Sequence, residues 1–237
     1  MELVLYKFFE KEEYRNAFLA GKLYANKLSY YRSEENQTIG VSDGFENAEL
    51  IAWADENHFV QNEFIEKDGE IYVKSTAYDS KPQDYRENQG FISYAPKDYN
   101  VFCMSSIPIG KCGEVCSFDK SNLNSFGQYG IVVLDTNEFI NRIKSSIDRN
   151  ANVSAVCGNL VKYVDFHKRD SIQHWTPFHK FSSFAYQQEY RVVFDASEKG
   201  AISYTIPPLK DIVQVIDDKL TFFNGIDVGN PICLGGE

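Results

Sequence analysis

The segment from Tyr186 to Arg191 carries the side chains that are best suited to chemistry. It reads Tyr-Gln-Gln-Glu-Tyr-Arg and runs directly into the apolar stretch Val192–Phe194. Residues two apart in an extended chain face the same side, so the spacing predicts that Gln187 and Glu189 project together, with Arg191 beyond them. An amide that donates next to a carboxylate that accepts suits the binding of hydroxyl groups or the stabilisation of positive charge. The plainer alternative is the polar edge of a strand.

A second group of candidate residues stands where another apolar run ends. The run Val101–Met104 is followed by Ser105 and Ser106. These two hydroxyls either contact a ligand or provide the turn chemistry that is common at the end of a strand.

Lys7 and the segment Leu28–Arg32 form a third group, near the N-terminus. An Arg beside two Tyr can hold a phosphate by charge and stack a base on a ring face. If the segment is a strand, Tyr30 and Tyr31 point to opposite faces and one of them belongs to the core.

Basic and aromatic residues are interleaved between Lys162 and Lys180, as grooves for single-stranded nucleic acid require. Asp165 and Asp170 dilute the positive charge of this stretch. It is therefore either a guide for nucleic acid or an ordinary solvated surface. Three of the four His residues lie here, but their spacing matches no metal-binding pattern, and we predict no metal site.

The composition limits the class of protein. The chain has 237 residues, of which 43% are apolar and 15% aromatic, and this suits a single domain over residues 1–237. Its net charge of −10 repels nucleic acid on average, so any such partner must meet a local basic patch. The five Cys are irregularly spaced, which argues against a disulfide framework. No signal-peptide pattern opens the chain, and no apolar stretch approaches the roughly 18 residues of a membrane helix. We expect a cytoplasmic protein that does not enter membranes.

Short strands and few helices are predicted from the apolar pattern. Continuous apolar runs predict strands at 3–6, 99–104, 129–134, 160–164, 190–194, 201–206 and 212–216. Helical spacing predicts helices at 10–19, 47–57 and 136–147, and the pair Asp68-Gly69 predicts a hairpin turn. Because the strands cluster instead of alternating with helices, the predicted fold class is α+β.

Several of these motifs resemble the DUF2971 group of bacterial proteins. The resemblance is carried by Leu5–Phe9, Asp43–Glu46, Phe102–Ser105 and Gln188–Val192, which follow one another in the order of that group. The central tryptophan-rich segment of the group has no counterpart here.

The layout is also similar to ADP-ribosyltransferases of the Arg–Ser–Glu type, and the start of the chain resembles DarT-type toxins. Such enzymes have an early strand Arg, a Ser-rich strand end and a Gln/Glu-x-Glu motif whose last Glu is catalytic. Arg32, the pair Ser105-Ser106 and Gln187-x-Glu189 match in order, although the first strand offers Lys7 where an Arg is typical.

This resemblance implies an ADP-ribosyltransferase-like split of two small antiparallel or mixed sheets with flanking helices, with NAD bound between them as a substrate. Glu189 would stabilise the oxocarbenium-like transition state, and Gln187 would orient the acceptor. The NAD-binding residues that the resemblance implies are Arg32, Lys7, Tyr31, Ser105 and Ser106.

The implied partners are NAD, an RNA, DNA or protein acceptor, and an antitoxin, as expected for a bacterial toxin or anti-phage defence effector. Two other interpretations stay open. One is a non-catalytic module that binds a nucleotide or a protein partner in the same cleft. The other is a metal-dependent nuclease that uses Asp43, Glu46 and Glu49.

Overall fold

The computed structural model describes residues 2–32, 48–52, 59–67, 70–78, 91–94, 97–119, 127–164 and 172–231; for residue 32, for the described part of 48–94 and for 172–174 it describes the backbone. These residues form two compact units. The first comprises residues 1–47, 97–164 and 177–237, and the second comprises residues 48–96 and 165–176. The assignment of 1–237 to one domain stays a prediction.

The described chain is mixed α/β, with a mostly antiparallel sheet and few helices. The strands are β1 (Glu2–Phe9), β2 (Lys22–Lys27), β3 (Ala48–Ala52), β4 (Phe59–Lys67), β5 (Glu70–Tyr78), β6 (Phe91–Tyr94), β7 (Asn100–Ile109), β8 (Tyr129–Val133), β9 (Val153–Leu160), β10 (Lys162–Val164), β11 (Ile172–His174), β12 (His179–Phe181), β13 (Glu189–Ala196), β14 (Ile202–Thr205) and β15 (Val213–Ile216). The helices are α1 (Glu12–Leu19), α2 (Leu28–Arg32), α3 (Thr136–Ser145) and α4 (Lys219–Asn224). The predicted class is thus confirmed at this level, whereas the ADP-ribosyltransferase-like split stays a prediction.

An eight-stranded sheet organises the first unit. Its main path runs β14-β2-β7-β1-β8-β15, and β13 joins β7 to β9 beside that path. All of these pairings are antiparallel. The paired strands lie far apart in the sequence, so distant parts of the chain build this sheet together.

Strand β7 holds this sheet together, because β1 and β2 share one of its edges. β13 pairs with residues 100–105 of β7, β1 pairs with 105–109, and β2 pairs with 100–101. A strand has two edges, and both β1 and β2 overlap the stretch that β13 occupies, so they lie on the edge opposite to β13. Between them, residues 102–104 of β7 pair with neither strand.

Apolar side chains cover both faces of this sheet. On one face, Phe18 of α1 and Phe139 of α3 pack with Leu5, Phe102 and Tyr190 in the largest buried cluster. On the other face, Tyr6, Phe8 and Ile107 pack with Phe223 of α4. Helix α3 begins where the Asp135 side chain accepts a hydrogen bond from the Glu138 N–H, so Asp135 is its N-cap.

The second unit contains one confirmed element and one that the sequence misassigned. β4 and β5 pair from Phe59↔Tyr78 to Lys67↔Glu70, so the predicted hairpin is present and longer than expected. The predicted helix at 47–57 is wrong, because Ala48–Ala52 is strand β3. β3 pairs with β6 and β11, whose sequences lie about 40 and 120 residues away, so no local pattern reveals its partners.

Candidate active site

Strands β1, β7 and β13 bring three of the predicted motifs side by side. Ser105 of β7 pairs with Glu189 of β13 and with Tyr6 of β1, so these residues form one row across the sheet. The side chains of Tyr6 and Ser105 are hydrogen-bonded to each other. The Ser and Glu motifs are therefore direct cross-strand neighbours, although 84 residues separate them.

The Glu189 carboxylate is buried and held by two cations. Its Oε1 accepts a hydrogen bond from Arg191 Nε at 2.7 Å, and its Oε2 accepts one from Lys180 Nζ at 3.1 Å. The Cys103 thiol is hydrogen-bonded to the same carboxylate. Only 6% of the Glu189 surface is exposed, so these contacts replace solvation by water.

This surrounding determines the protonation state of Glu189. Burial raises the pKa of its carboxyl, but the charges of Arg191 and Lys180, with the hydrogen bonds from Arg191 and Cys103, outweigh burial and hold the pKa well below its ordinary value. The group is therefore an anion at neutral pH and is unsuited to act as a general acid.

Lys180 joins the two predicted catalytic residues. Its Nζ donates to Gln187 Oε1 at 2.8 Å as well as to Glu189, and 5% of Lys180 is exposed. Gln187 is 7% exposed, and its Nε2 donates to the Tyr186 hydroxyl at 3.4 Å. The sequence predicts Lys180 either in a guide for nucleic acid or on a solvated surface, and for this residue both alternatives are wrong, since its ammonium is buried against Glu189.

Gln187 and Glu189 converge for a reason that differs from the predicted one. Residues Ser182–Gln187 form a 3-10 helix, Gln188 has φ 43°, and β13 begins at Glu189. The chain is therefore not extended through Gln187. A left-handed residue turns it sharply, and both side chains meet Lys180 after that turn.

Hydrogen bonds to the Gln188 carbonyl fix this turn. The Ser106 N–H and hydroxyl both donate to that carbonyl, at 2.7 Å and 2.6 Å. Ser106 is 2% exposed and lies on β7. Its hydroxyl, a predicted ligand contact, thus supports the backbone in front of Glu189.

Lys7 fills the gap between β1 and β2 on the edge of β7. Its Nζ donates to the Cys103 carbonyl at 2.7 Å, and it lies 5.0 Å from the Phe102 ring centre. Burial lowers the pKa of the Lys7 ammonium, and the nearby Cys103 and Glu189 oppose that effect only in part. Lys7 is therefore close to the charged cluster and is bound to backbone.

The segment with Tyr31 and Arg32 is helix α2 and not a strand. Tyr30 and Tyr31 are therefore not on opposite faces of a strand but contact each other edge to face, with ring centres 5.3 Å apart. Tyr31 packs against the cluster that contains Val101 and Val193, which are cross-strand partners on the Glu189 face of the sheet. The Arg32 side chain lies outside the described part of the chain.

Tyr163 contacts the backbone of Glu189. Its hydroxyl accepts a hydrogen bond from the Glu189 N–H at 2.8 Å. Burial raises the pKa of the Tyr163 hydroxyl, and the negative charge of Glu189 raises it further. The hydroxyl therefore stays protonated at neutral pH.

A cleft of about 380 Å³ lies beside the start of β13. Its lining residues are Leu3, Ser106, Pro108, Cys116, Ser117, Leu160, Val161, Tyr163, Ala185, Gln188 and Glu189. Leu3 and Leu160 pack with the cluster that contains Tyr190. Since successive strand residues alternate in direction, the carboxylate of Glu189 belongs to the opposite face of the sheet.

The first unit is thus an antiparallel sheet domain with a buried charged cluster at the junction of β7 and β13. The chain matches no protein-family model, no curated protein and no solved structure.

In the described ranges no helix is long and apolar enough to cross a membrane. Asp43 and Glu46 and the side chain of Glu49, on which the nuclease interpretation depends, lie outside the described residues, as does the stretch 165–171 of the expected basic patch.

Proposed function

We propose that the chain is an NAD-dependent ADP-ribosyltransferase that acts as a bacterial toxin or anti-phage defence effector on nucleic acid or protein. One observation carries the proposal. Ser105 and Glu189 are cross-strand partners, and Gln187 joins Glu189 through Lys180. A Ser strand end beside a Gln-x-Glu strand start is the arrangement that the resemblance requires.

The supporting residues share one face of the sheet. Tyr31 packs against the cluster that contains Val101 and Val193, four residues along the strands from Ser105 and Glu189. Four residues of strand span about 13 Å. For a dinucleotide to reach both the Tyr31 ring and the Glu189 carboxylate, the cover over Val193 and Glu189, which are 7% and 6% exposed, has to open.

The ionised carboxylate suits the role assigned to it. In the proposed reaction the bond between ribose C1′ and the nicotinamide nitrogen breaks, and the electron pair leaves with nicotinamide. Positive charge develops on the ribose, and the Glu189 anion stabilises it. The acceptor atom then forms a bond to C1′ and loses a proton to solvent, so neither Glu189 nor Gln187 has to change its protonation state.

A second candidate function is a non-catalytic module that binds a nucleotide or a protein partner. The contacts of Glu189 favour it. Two cations and one thiol already donate to the carboxylate, which has about four lone-pair positions. In this case Glu189 holds β13, β7 and the 3-10 helix together and does not contact a substrate.

The deciding experiment compares nicotinamide release and ADP-ribose transfer by the native chain and Glu189→Gln, with NAD and a mixture of RNA, DNA and cell lysate. We expect Glu189→Gln to lose transfer by at least about a hundredfold, as removal of one electrostatic stabiliser does in other enzymes. It should also relieve any growth defect caused by the native chain.

Gly130→Ala is the matched control, because it is expected to weaken the fold far from Glu189. It should retain transfer within a fewfold at a temperature where both variants are folded. NAD binding without nicotinamide release from the native chain supports the binding module instead. Equal transfer by the native chain and Glu189→Gln contradicts the role of Glu189.

A further inference from the structure

The cleft beside β13 carries a polar group that no contact of the protein satisfies. Gln188 lines it, and Gln188 Oε1 is buried and accepts no hydrogen bond. The other amide atom is fixed, since Nε2 donates to the Ser117 hydroxyl at 3.1 Å and contacts the Ser117 carbonyl at 3.3 Å. Buried side-chain oxygens normally have a partner, so this acceptor indicates that one is supplied from outside the chain.

The backbone of Gln188 is also held in an unusual conformation. Its φ of 43° is the only positive value of a non-glycine residue in the described chain. Residues other than glycine adopt such angles at a cost, and they occur preferentially at sites that bind ligands. The two hydrogen bonds from Ser106 keep Gln188 in this conformation, with its side chain at the cleft.

The remaining lining determines the chemistry of a ligand. Leu3, Pro108, Leu160 and Val161 provide aliphatic surface. Glu189 is the one acidic residue among the described lining residues, but its carboxylate lies on the opposite face of the sheet and is paired with Arg191 and Lys180. The described lining therefore offers no ionic partner to a charged ligand, but it offers apolar contact and the Gln188 Oε1 acceptor.

We propose that this cleft binds a small neutral heterocycle whose N–H donates to Gln188 Oε1. A volume of about 380 Å³ lies at the lower end of ligand pockets and suits one or two fused rings. The terminal torsion of a Gln side chain is soft, so a small rotation would turn the Gln188 carbonyl towards a donor in the cleft while lengthening the contacts of Nε2 with Ser117. The inference uses no step of the proposed ADP-ribosyl transfer and stands or falls separately from it.

Two probes of nearly equal shape test the donor directly, since indole has an N–H and benzofuran has an oxygen in its place. Binding to the full chain is measured by titration calorimetry. We expect indole to bind about tenfold more tightly than benzofuran, the difference that one buried hydrogen bond makes. In Gln188→Gly, whose glycine accepts the positive φ, this preference should disappear while benzofuran still binds.

The rate at which each thiol is alkylated shows where the probe binds. Cys116 lines the cleft, whereas Cys157 is exposed on β9 outside it. Indole should slow the alkylation of Cys116 by iodoacetamide and leave Cys157 unchanged. Equal affinity for the two probes in the native chain, or no protection of Cys116, overturns the proposal. Either result leaves the transferase assay unaffected, so the two proposals fail separately.

Discussion

The buried carboxylate of Glu189 accepts hydrogen bonds from three side chains. Arg191 donates to both carboxylate oxygens, Lys180 donates to Oε2, and the Cys103 thiol is a third donor. Such a buried arrangement contributes little net free energy when intact, but the loss of one partner leaves a charge without compensation. The carboxylate is therefore as important for the fold as for the proposed chemistry.

The stability of the protein should depend on pH through Glu189. Its pKa in the folded state is depressed, so its contribution is complete above the unfolded-state pKa of about 4.3 and is lost as the pH falls further. We expect the free energy of unfolding to decrease below about pH 5, whereas Glu189→Gln is about 3–5 kcal/mol less stable at pH 7 and has a flatter acid profile. Urea unfolding at several pH values measures this.

Glu2→Gln is the matched control, because Glu2 is exposed at the start of β1. Its free energy of unfolding should stay within about 0.5 kcal/mol of the native value at pH 7. If Glu189→Gln keeps the same acid slope as the native chain, the charges around Glu189 do not act as described.

The sequence predicted part of this cluster. The spacing of Gln187 and Glu189 identified both residues, and Arg191 follows from the alternation of β13. Lys180 was misassigned, because it reaches Glu189 across a 3-10 helix and a left-handed residue, and neither feature has a residue pattern that reveals it. Gln at a positive φ is particularly hard to predict, since glycine or asparagine is the usual signal.

At the scale of the elements, the packing of β8 against its neighbours requires a glycine at position 130. Gly130 lies opposite Phe8 of β1 and Ile216 of β15. A Cβ at this position would lie 2.5 Å from the Phe8 ring and 2.9 Å from the Ile216 Cβ. The three strands can therefore pack closely only with glycine here.

Gly130→Ala should destabilise the protein by about 1–3 kcal/mol, because the packed neighbours have to move. Gly200→Ala is the control, since nothing lies within 4 Å of a Cβ at that position. The control should be neutral or slightly stabilising. Denaturant midpoints of the two variants measure the difference, and equal midpoints would show that the strands yield without cost.

Elements with a strong local signal were predicted well. The Asp68-Gly69 turn and the Asp135 cap identify the β4–β5 hairpin and helix α3 from adjacent residues. β3 and α2 were misassigned, because short apolar runs suit either a strand or a helix, and distant partners decide between them. The sharing of one edge of β7 by β1 and β2 likewise depends on register, which no local pattern contains.

At the scale of the whole molecule, the thiols of the described residues divide into two classes. Cys112, Cys116 and Cys157 are exposed, whereas the Cys103 thiol is hydrogen-bonded to Glu189. Burial raises the pKa of the Cys103 thiol, and the negative charge of Glu189 raises it further. Since the thiolate is the reactive form, Cys103 should be protected in the folded protein.

Pulse alkylation at pH 8, followed by mass spectrometry, tests this division. We expect rapid modification of the three exposed thiols in native protein and modification of Cys103 only after unfolding in urea. The urea sample is the control, because Cys103, Cys112, Cys116 and Cys157 should react there at similar rates. Reaction of Cys103 at the rate of Cys157 in native protein would show that the charged cluster opens to solvent.

The net charge of −10 and the burial of Lys180 together reduce the expected attraction for nucleic acid. Composition predicted the acidic total, but it could not reveal which basic side chains are used inside the fold. An acceptor for the proposed reaction thus has to be recognised by shape and hydrogen bonds more than by overall charge.

On the edge of β7 that β1 and β2 share, residues 102–104 pair with neither strand. The Lys7 ammonium donates a hydrogen bond to the Cys103 carbonyl in this stretch. Backbone hydrogen bonding between the β2–β14 pair and the β1–β8–β15 group passes through β7 alone in the described sheet. Both groups are therefore joined only through pairing to the same edge of β7, and Lys7 of β1 contacts that edge between them. Loss of the Lys7 contact would remove the lysine donor from the Cys103 carbonyl and would leave both groups paired to β7.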